Sequence, residues 1–475
     1  MKNIDVRKQF KLFGAFAMNI KVTADYEVTV TLAQDVKKSQ FFGLLTYMAV
    51  WIALFTTYKS FWGIATFPYG WFYLAVACGY ILVVVFQSIS EHQTRKFWLI
   101  VWSIIFGSII LQVFGLLNLL GYGDRGELAT MVMEGVVFPR WLGGSAILLY
   151  IYKLWTIIPG LSKYSNDINS VLTVIKVLGG IVMVFISVSL LYKWPNRMSI
   201  ILPLTTPVYL MISMGYDEYY PFIAGLFLVF LVNVFEMDSA KQNVYWLGFL
   251  MAILSVFYIP FLAISMIVLA YYYFSYSSMR QKLLLTFLSV FILSIFLFWP
   301  SGQGNYITSL ISKINTGNML LLFSRYKDQS ASNNIFFKPQ NVTTWEHFSD
   351  LFYMFLWSGN MVIGVLLGTG VYYLTKIGML KKFITSPHIP LLSALFIWQL
   401  FYFVFMLPRL GPRTDIDLFF SFYICLAFVT GHILDFIKAQ TQLGHKIDDI
   451  VIPAVMANAV VTLFFLVIVG IPKII

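Results

Sequence analysis

Four short segments of this strongly apolar chain mix acidic residues with arginine, histidine, glycine or aromatic residues. The first polar segment, residues 121–127, contains Asp124 and Glu127, one helical turn apart. A carboxylate at a membrane surface can act as a general base and take the proton of a sugar hydroxyl. The same spacing also fits a helix start with an acidic first turn, so a structural role stays open.

The second polar segment, residues 215–220, is a very short turn with two adjacent acids, Asp217 and Glu218, among three tyrosines. Tyrosines are common at membrane surfaces. The acids are not needed to reverse the chain. They are therefore candidates for holding the hydroxyl groups of an acceptor or a divalent ion, with a solvated turn as the alternative.

The third polar segment, residues 345–350, ends in His347 and Asp350. A spacing of three places them side by side on a helix face. Histidine donates a hydrogen bond or binds a metal, and a carboxylate fixes its tautomer. The pair is a candidate for orienting a phosphate or a metal ion. A structural histidine is the alternative.

The fourth polar segment, residues 409–417, carries Arg413 beside Asp415. A guanidinium grips two phosphate oxygens at once. Charges at the start of a membrane span need partners, so the neighbouring acids indicate an organised site. Arg140 is a further phosphate candidate. Contact with lipid headgroups is the alternative for both arginines.

The elements that must position these residues are long apolar runs. Apolar residues make up 59% of the 475 residues and charged residues 11%, and the mean hydropathy is +0.80. A helix crosses a bilayer with about 20 such residues. This composition excludes a soluble globular protein, and the long runs exclude a porin-type barrel.

The fold class that follows is all-α, a polytopic helical membrane protein with about 13 transmembrane helices. The predicted spans are 42–58, 71–89, 97–120, 172–192, 200–214, 219–236, 245–258, 260–275, 283–299, 351–375, 388–407, 416–437 and 450–471.

The loops that alternate with the four polar segments are basic, as in Arg95-Lys96 and Lys381-Lys382, and this predicts that they face the cytoplasm. The run 142–158 is ambiguous, because a crossing there would move every later loop to the other side. More than half of the 32 lysines and arginines fall inside if it lies along the outer surface, so we predict an interfacial helix. The amino terminus is then cytoplasmic and the carboxyl terminus outside.

The predicted organisation is a cytoplasmic amino-terminal segment, 1–40, and a polytopic membrane domain, 41–475, with long outer segments 121–170 and 300–350. Residues 26–32 alternate as a strand does. The net charge of +11 is spread over short loops, which favours anionic lipid headgroups and not nucleic acid as partners. Both cysteines, Cys78 and Cys425, lie inside apolar runs and are interpreted as packing residues.

The arrangement of these segments resembles the C-type glycosyltransferase superfamily, the GT-C fold, over most of residues 95–420. The resemblance rests on the Asp124 loop followed by Phe138-Pro139-Arg140, the acidic second outer turn, the long outer segment that ends at Asp350, and the stretch from Gly411 to Leu418. The last resembles a Gly-Pro-x-x-Asp-Trp-Asp-Leu pattern of uncharacterised bacterial members, with Ile416 in place of Trp. The resemblance implies a catalytic base at Asp124, with the second-loop acid at Asp217 or Glu218. The paired acids usual in the family are absent, and Asp124-Arg125 stands in their place.

These observations predict a glycosyltransferase of the inner or plasma membrane. It would move a sugar from a polyprenyl-phosphate-linked donor to a glycan, lipid or protein acceptor on the outer face. No cofactor is required by the sequence, and a divalent metal ion stays open. The alternatives are a polysaccharide polymerase or ligase and a lipid-linked saccharide transporter or flippase. A transporter should show charges and broken helices at mid-bilayer. Lys176 alone is a clear mid-span charge in the sequence, which counts against a transporter.

Overall fold

The computed structural model describes the helical and strand segments of this chain. The described residues are 18–22, 28–32, 60–61, 64–65, 91–113, 142–158, 168–214, 219–235, 243–258, 260–275, 277–298, 361–405 and 419–440, with single positions at 345, 348 and 351 and a broken helical stretch between 451 and 463. The predicted spans 42–58 and 71–89, and the predicted domain boundary near residue 40, lie outside them.

The chain divides into two compact units, Met1–Ser88 and Ile89–Ile475. In the first unit, strand β1 (Met18–Val22) pairs antiparallel with β2 (Val28–Leu32), with Ile20 opposite Val30. A second, smaller hairpin joins β3 (Ser60–Phe61) and β4 (Ile64–Ala65). The strand predicted from the alternation at 26–32 is therefore confirmed as β2.

The second unit is a helical bundle, which confirms the predicted polytopic helical fold. Its described helices are α1 (Glu91–Val113), α2 (Leu142–Ile157), α3 (Ile168–Lys193), α4 (Met198–Leu204), α5 (Pro207–Ser213), α6 (Tyr220–Phe235), α7 (Val244–Phe257), α8 (Pro260–Ser275), α9 (Ser277–Phe298), α10 (Met361–Lys376), α11 (Leu380–Ile384), α12 (Ile389–Phe405) and α13 (Phe420–Gln440).

Among the described residues, three helices are long and apolar enough to cross a bilayer, and they lie within α1, α3 and α13. Four shorter apolar helices, α6, α7, α8 and α12, accompany them. In α13, 83% of the apolar stretch is buried inside the bundle, against 39% in α1 and in α3. Helix α13 is therefore the centre of the unit, and α1 and α3 lie at its periphery.

The predicted break at Pro260 is confirmed, because α7 ends at Phe257 and α8 starts at Pro260. The predicted span 200–214 is not one continuous helix. It consists of two seven-residue helices, α4 and α5, and all of their residues are buried. Pro207 has no N–H group to continue a helix, and Thr206 instead caps α5 by accepting the Tyr209 N–H at 3.2 Å.

The polar groups at this break are satisfied locally. The Thr205 hydroxyl donates to the carbonyl groups of Ile201 and Leu202, and the Thr206 hydroxyl donates to that of Pro203. An unsatisfied backbone group in the apolar interior would cost several kcal/mol. The two threonine hydroxyls therefore satisfy the carbonyl groups of Ile201, Leu202 and Pro203 at this break.

The start of α4 is fixed against α13. The Asp435 carboxylate accepts the N–H groups of Met198 and Ser199 at 3.0 Å each, and the Ser199 hydroxyl at 2.9 Å. One turn earlier on α13, Gly431 lies directly against the backbone of Met198 and Ser199, so that a Cβ atom there would collide with it. Glycine is required at this position for the close approach of the two helices.

Helices α1 and α3 run antiparallel. Trp102 of α1 packs edge-on against Tyr209, whose hydroxyl meets that of Ser187 on α3 at 3.1 Å. Further along α1, Ile109 lies against Gly180 of α3. A later residue of α1 therefore contacts an earlier residue of α3, as expected for antiparallel helices.

It follows that α1 ends and α3 begins at the same end of the bundle. Helix α2 lies between them in the sequence. Its first half packs on the last turns of α7 and α9, where Ala146 and Leu149 are buried with Val256. Its second half is exposed at Lys153, Leu154 and Ile157. A return to the same end favours the prediction that α2 lies along the surface, which stays a prediction.

Replacing Gly431 by alanine should destabilise the bundle by roughly 1–3 kcal/mol, because the added methyl group overpacks the contact with α4. The measurement is the apparent melting temperature of the purified protein in detergent. Gly368→Ala is the matched control, since nothing lies within 4 Å of a Cβ added to Gly368 of α10. Equal melting of the two variants would refute the close approach of α4 and α13.

Candidate functional site

The side chains predicted to carry the chemistry lie outside the described residues, whereas the helix ends to which they attach are described. Those side chains are Asp124, Glu127, Arg140, Asp217, Glu218, His347, Asp350, Arg413 and Asp415. The geometry of the candidate site is therefore built from the helix ends that lead into the polar segments.

The helices that lead into the first and second polar segments meet at their ends. Gln112, next to the last residue of α1, donates its side-chain N–H to the Met214 carbonyl at 2.6 Å. Met214 follows α5 directly. The chain therefore enters the segment with Asp124 and the turn with Asp217 from neighbouring points.

The first residues of α2 and α6 also meet. Gly144 of α2 lies against the aromatic ring of Tyr219, and a Cβ atom on Gly144 would approach that ring to 2.7 Å. Arg140 is four residues before Gly144, and Glu218 adjoins Tyr219. The start of α2, which follows Arg140 in the chain, and the start of α6, which follows the acidic turn, are therefore in contact.

The fourth polar segment attaches at the same end. The rings of Tyr220, at the start of α6, and Phe420, at the start of α13, lie 5.6 Å apart. Before the segment, α12 ends near Tyr402, whose hydroxyl meets that of Tyr258 at 2.6 Å. Tyr258 in turn lies 6.4 Å from Tyr220, ring to ring.

These contacts define one end of the bundle, here called the acidic end, formed by Gln112, Met214, Tyr220, Tyr402 and Phe420. Buried polar contacts continue below it, where the Ser421 hydroxyl donates to the Gln399 side chain at 2.8 Å. The rings of Tyr220, Tyr258, Tyr402 and Phe420 are all buried and pack together at this end.

The third polar segment is described at Trp345 and Phe348, which are exposed, and at Leu351, which is buried. All three positions are helical. His347 and Asp350 themselves lie outside the described residues. Their approach to the acidic end stays a prediction.

The basic loops meet at the opposite end of the bundle, here called the basic end. The Lys438 ammonium donates to the Asn196 carbonyl at 3.1 Å, and Lys382 donates to Gln440. Asp435 lies fifteen positions after Phe420 on α13, which separates the two ends by about 22 Å at 1.5 Å per residue. Lys382 and Lys438 therefore lie at the end of the bundle opposite to the described helix ends that lead into the first, second and fourth polar segments.

Two polar side chains at the acidic end were not among the predicted site residues. Gln112 is buried, and its side-chain oxygen accepts no hydrogen bond from any residue that the structure describes. Lys176 is 5% exposed. Each could have been noticed in the sequence as a single polar residue inside an apolar run. Burying such a residue in a membrane costs free energy unless it has a partner or a function.

In the described part of the chain, no three histidine, cysteine, aspartate or glutamate side chains come together as a metal site. The carboxylates predicted to hold a divalent ion, Asp217 and Glu218, are outside that part. Carboxylate oxygens are the ligands that Mg²⁺ and Ca²⁺ prefer. A divalent ion at the acidic turn therefore stays a prediction.

No family model matches this chain, and no curated protein matches it. Among solved structures, the chain is similar to the crystal structure of ArnT from Cupriavidus metallidurans bound to undecaprenyl phosphate. The two are 12% identical, the match covers 80% of this chain and 77% of ArnT, and the TM-score is 0.44. A likeness at this level does not bear on function.

Gln112→Met should loosen both loops that leave the acidic end, because it removes the hydrogen bond to Met214 without changing the side-chain size much. A typical hydrogen bond contributes about 1 kcal/mol, which corresponds to roughly fivefold faster exchange in segments that open locally. The measurement is deuterium uptake of peptides covering 114–141 and 215–219.

Ser255→Ala is the control for Gln112→Met, because it removes a comparable buried contact, 2.9 Å to Ser265, between α7 and α8. Uptake in the two loop peptides should not change in this control. Unchanged uptake in Gln112→Met itself would contradict the joining of the two loops by Gln112.

Proposed function

We propose that this chain is a membrane glycosyltransferase that moves a sugar from a polyprenyl-phosphate-linked donor to an acceptor hydroxyl. The reaction takes place on the extracytoplasmic face, with the amino terminus in the cytoplasm and the chain in the inner or plasma membrane. The observation that carries the proposal is the meeting of helix ends at the acidic end: Gln112 with Met214, Gly144 with Tyr219, and Tyr220 with Phe420.

In the proposed reaction, Asp124 accepts the proton of the acceptor hydroxyl. The acceptor oxygen forms a bond to the anomeric carbon of the sugar, and the bond from that carbon to the phosphate oxygen breaks. The phosphate leaves with the electron pair. Positive groups stabilise such charge where it develops, and Arg140, His347 and Arg413 are the residues proposed for this role.

The remaining candidates have supporting roles in the proposal. Asp217 or Glu218 holds acceptor hydroxyls or a divalent ion, and Glu127 lies one turn from the proposed base. Asp350 orients His347, and Asp415 orients Arg413. Orientation matters because a reacting group that is misplaced by about 1 Å can lose roughly 100-fold in rate.

The test of the proposal is sugar transfer by the purified protein in lipid nanodiscs. A panel of radiolabelled polyprenyl-phosphate sugars is offered as donor, and transfer to glycan, lipid and protein acceptors is measured. Transfer from one of these donors supports the proposal. Movement of a lipid-linked saccharide across a proteoliposome membrane without bond cleavage would instead identify a transporter.

A transporter is the less favoured function, although the structure contains a broken helix in α4 and α5. In known folds of that class, the ends of broken helices hold ions or substrate. Here the threonines at the break and Asp435 at the start of α4 use those groups. The break is therefore a packing feature.

A polysaccharide polymerase or ligase shares the donor chemistry and differs in the acceptor. In such an enzyme the acceptor is itself a growing glycan or a lipid core. The length of the products from the same assay distinguishes the two, since a polymerase yields a ladder of products and a single-sugar transferase yields one.

Asp124→Asn should reduce sugar transfer by about 10²–10⁴-fold, because the amide is nearly isosteric but cannot accept the proton. The rate is measured at saturating donor, and the melting temperature is measured beside it. Asp167→Asn is the matched control, since it makes the same change in the same outer segment at a position with no proposed role. Near wild-type transfer by Asp124→Asn would move the role of base to Glu127 or Asp217.

Arg413→Lys should raise the apparent KM for the donor more than that for the acceptor. The planar guanidinium grips two phosphate oxygens, and an ammonium does not reproduce this geometry. Arg409→Lys is the matched control on the other side of Gly411-Pro412. An unchanged donor KM and kcat would make Arg413 a structural partner of Asp415.

A further inference from the structure

Lys176 is a buried cation in the apolar half of α3. Among the residues whose side chains the structure describes, two charged side chains are buried, Lys176 at 5% exposure and Asp435 at 7%. Asp435 binds Met198 and Ser199 at the basic end. Lys176 is 17 residues before the end of α3, about 25 Å along the helix axis, so it cannot pair with Asp435.

The direction in which Lys176 faces follows from its neighbours on α3. Gly179 lies against Pro221, the second residue of α6, and Gly180 lies against the carbonyl of Ser213, the last residue of α5. Lys176 precedes Gly179 by three and Gly180 by four positions, so it shares their face of the helix. At 3.6 residues per turn it faces between the two contacts, one turn nearer the start of α3.

The chain between those two contacts contains the acidic turn. It runs from Ser213 and Met214 through four residues to Tyr219, and two of the four are Asp217 and Glu218. The same helix face contacts α5 further down, where Ser187 meets Tyr209 at 3.1 Å. Toward the start of α3, Ser187 contacts Tyr209 and Gly180 contacts Ser213, so the contacts move along α5 toward its last residue. Lys176 is the next residue of α3 on this face.

A buried ammonium group requires compensation. Its desolvation is costly, and a carboxylate within contact distance is the partner that offsets it best. The connection from Met214 to Tyr219, which follows directly on the contact of Gly180 with Ser213, contains two carboxylates, Asp217 and Glu218. Headgroup contact does not account for Lys176, because the side chain is buried within the bundle.

We propose that Lys176 forms a buried ion pair with one carboxylate of the acidic turn, Asp217 or Glu218. Lys176 is then a positioning residue: it holds that acid in its charged form and fixes the turn on the face of α3. The other acid is left to contact the acceptor. The ion pair stands on the packing of α3 against α5 and α6, and only the role of the turn toward an acceptor rests on the proposed function.

The test is a double-mutant cycle read out by thermal unfolding of the full chain in detergent. The single variants are Lys176→Met, Asp217→Asn and Glu218→Gln, and each acid variant is also combined with Lys176→Met. Lys176→Met should lower the melting temperature by several degrees, because it leaves a buried carboxylate without its partner. One of the two double variants should regain at least half of that loss, and this variant identifies the partner.

Two matched controls accompany the cycle. Lys153→Met removes an exposed lysine of α2 and should leave the melting temperature unchanged. Lys176→Arg keeps the charge and should lose much less stability than Lys176→Met. If Lys176→Met yields no folded protein, recovery of folded protein in one double variant is the supporting result, and recovery in neither overturns the ion pair.

Further outcomes overturn the proposal. If the losses in melting temperature of the single variants simply add in both double variants, neither acid is the partner of Lys176. The same conclusion follows if Asp124→Asn, combined with Lys176→Met, restores the melting temperature. Wild-type melting of Lys176→Met with loss of binding to a polyprenyl phosphate in nanodiscs would make Lys176 a phosphate contact.

The positioning role has its own readout in the sugar-transfer assay. The recovered double variant should fold but show a raised acceptor KM with an unchanged donor KM, and wild-type kinetics would overturn that role. The double-mutant cycle measures thermal unfolding and needs no activity. The ion pair can therefore be tested even if the chain transfers no sugar. Failure of the ion pair is therefore distinguishable from failure of the proposed function.

Discussion

The polar groups around the break between α4 and α5 must be satisfied inside an apolar bundle, and the placement of the candidate site depends on this. Side chains from two other helices satisfy the outer ends of this pair of helices. Asp435 of α13 binds the start of α4, and Gln112 of α1 binds the residue after α5. Each of these bonds is worth more in a medium without water to replace it. The pair is thereby fixed at one end to the central helix and at the other to a peripheral one.

Fixing both ends of this pair determines where the acidic turn leaves the bundle. Met214, before the turn, lies beside the end of α1, and Tyr220, after it, lies next to the start of α13. The three connections that carry Asp124, Asp217 and Arg413 therefore begin within one region. Acids near cations are what a sugar transfer needs: a base for the acceptor and positive charge for the departing phosphate. This shared region, with basic loops about 22 Å away along α13, is the basis of the proposed function.

Much of the fold could be predicted from the sequence, because apolar runs and helix breakers act locally. The break at Pro260 and the strand at 28–32 came from such local patterns and are confirmed. The two helices in the predicted span 200–214 were missed, although Pro203 and Pro207 were visible. A proline in a helical bundle can kink a helix or end it, so its presence alone does not predict a break. The break here depends on tertiary contacts: Gly431 leaves room for the α4 backbone, and Asp435 accepts the N–H group of Met198.

The candidate site was predictable in its residue types and much less in its connections. The charges of the loops alone predicted that these acids and arginines face the same side of the membrane. The sequence could not show that Gln112 donates to the Met214 carbonyl, or that Lys176 is buried inside the bundle, since both depend on how distant helices pack. A polar residue in an apolar run signals that a partner exists. It does not say which partner, because the partner lies far away in sequence.

The central claim is that the polar segments meet in one outer cavity. An experimental structure of the full chain in a lipid nanodisc with a polyprenyl phosphate tests it most directly, because it places the side chains and the membrane together. The account predicts that Asp124, the acidic turn and Arg413 line one cavity on the face opposite Lys382 and Lys438, with the phosphate at Arg413. Asp124 and Arg413 on opposite faces of the membrane, or a phosphate bound among the lysines of the basic end, would contradict it.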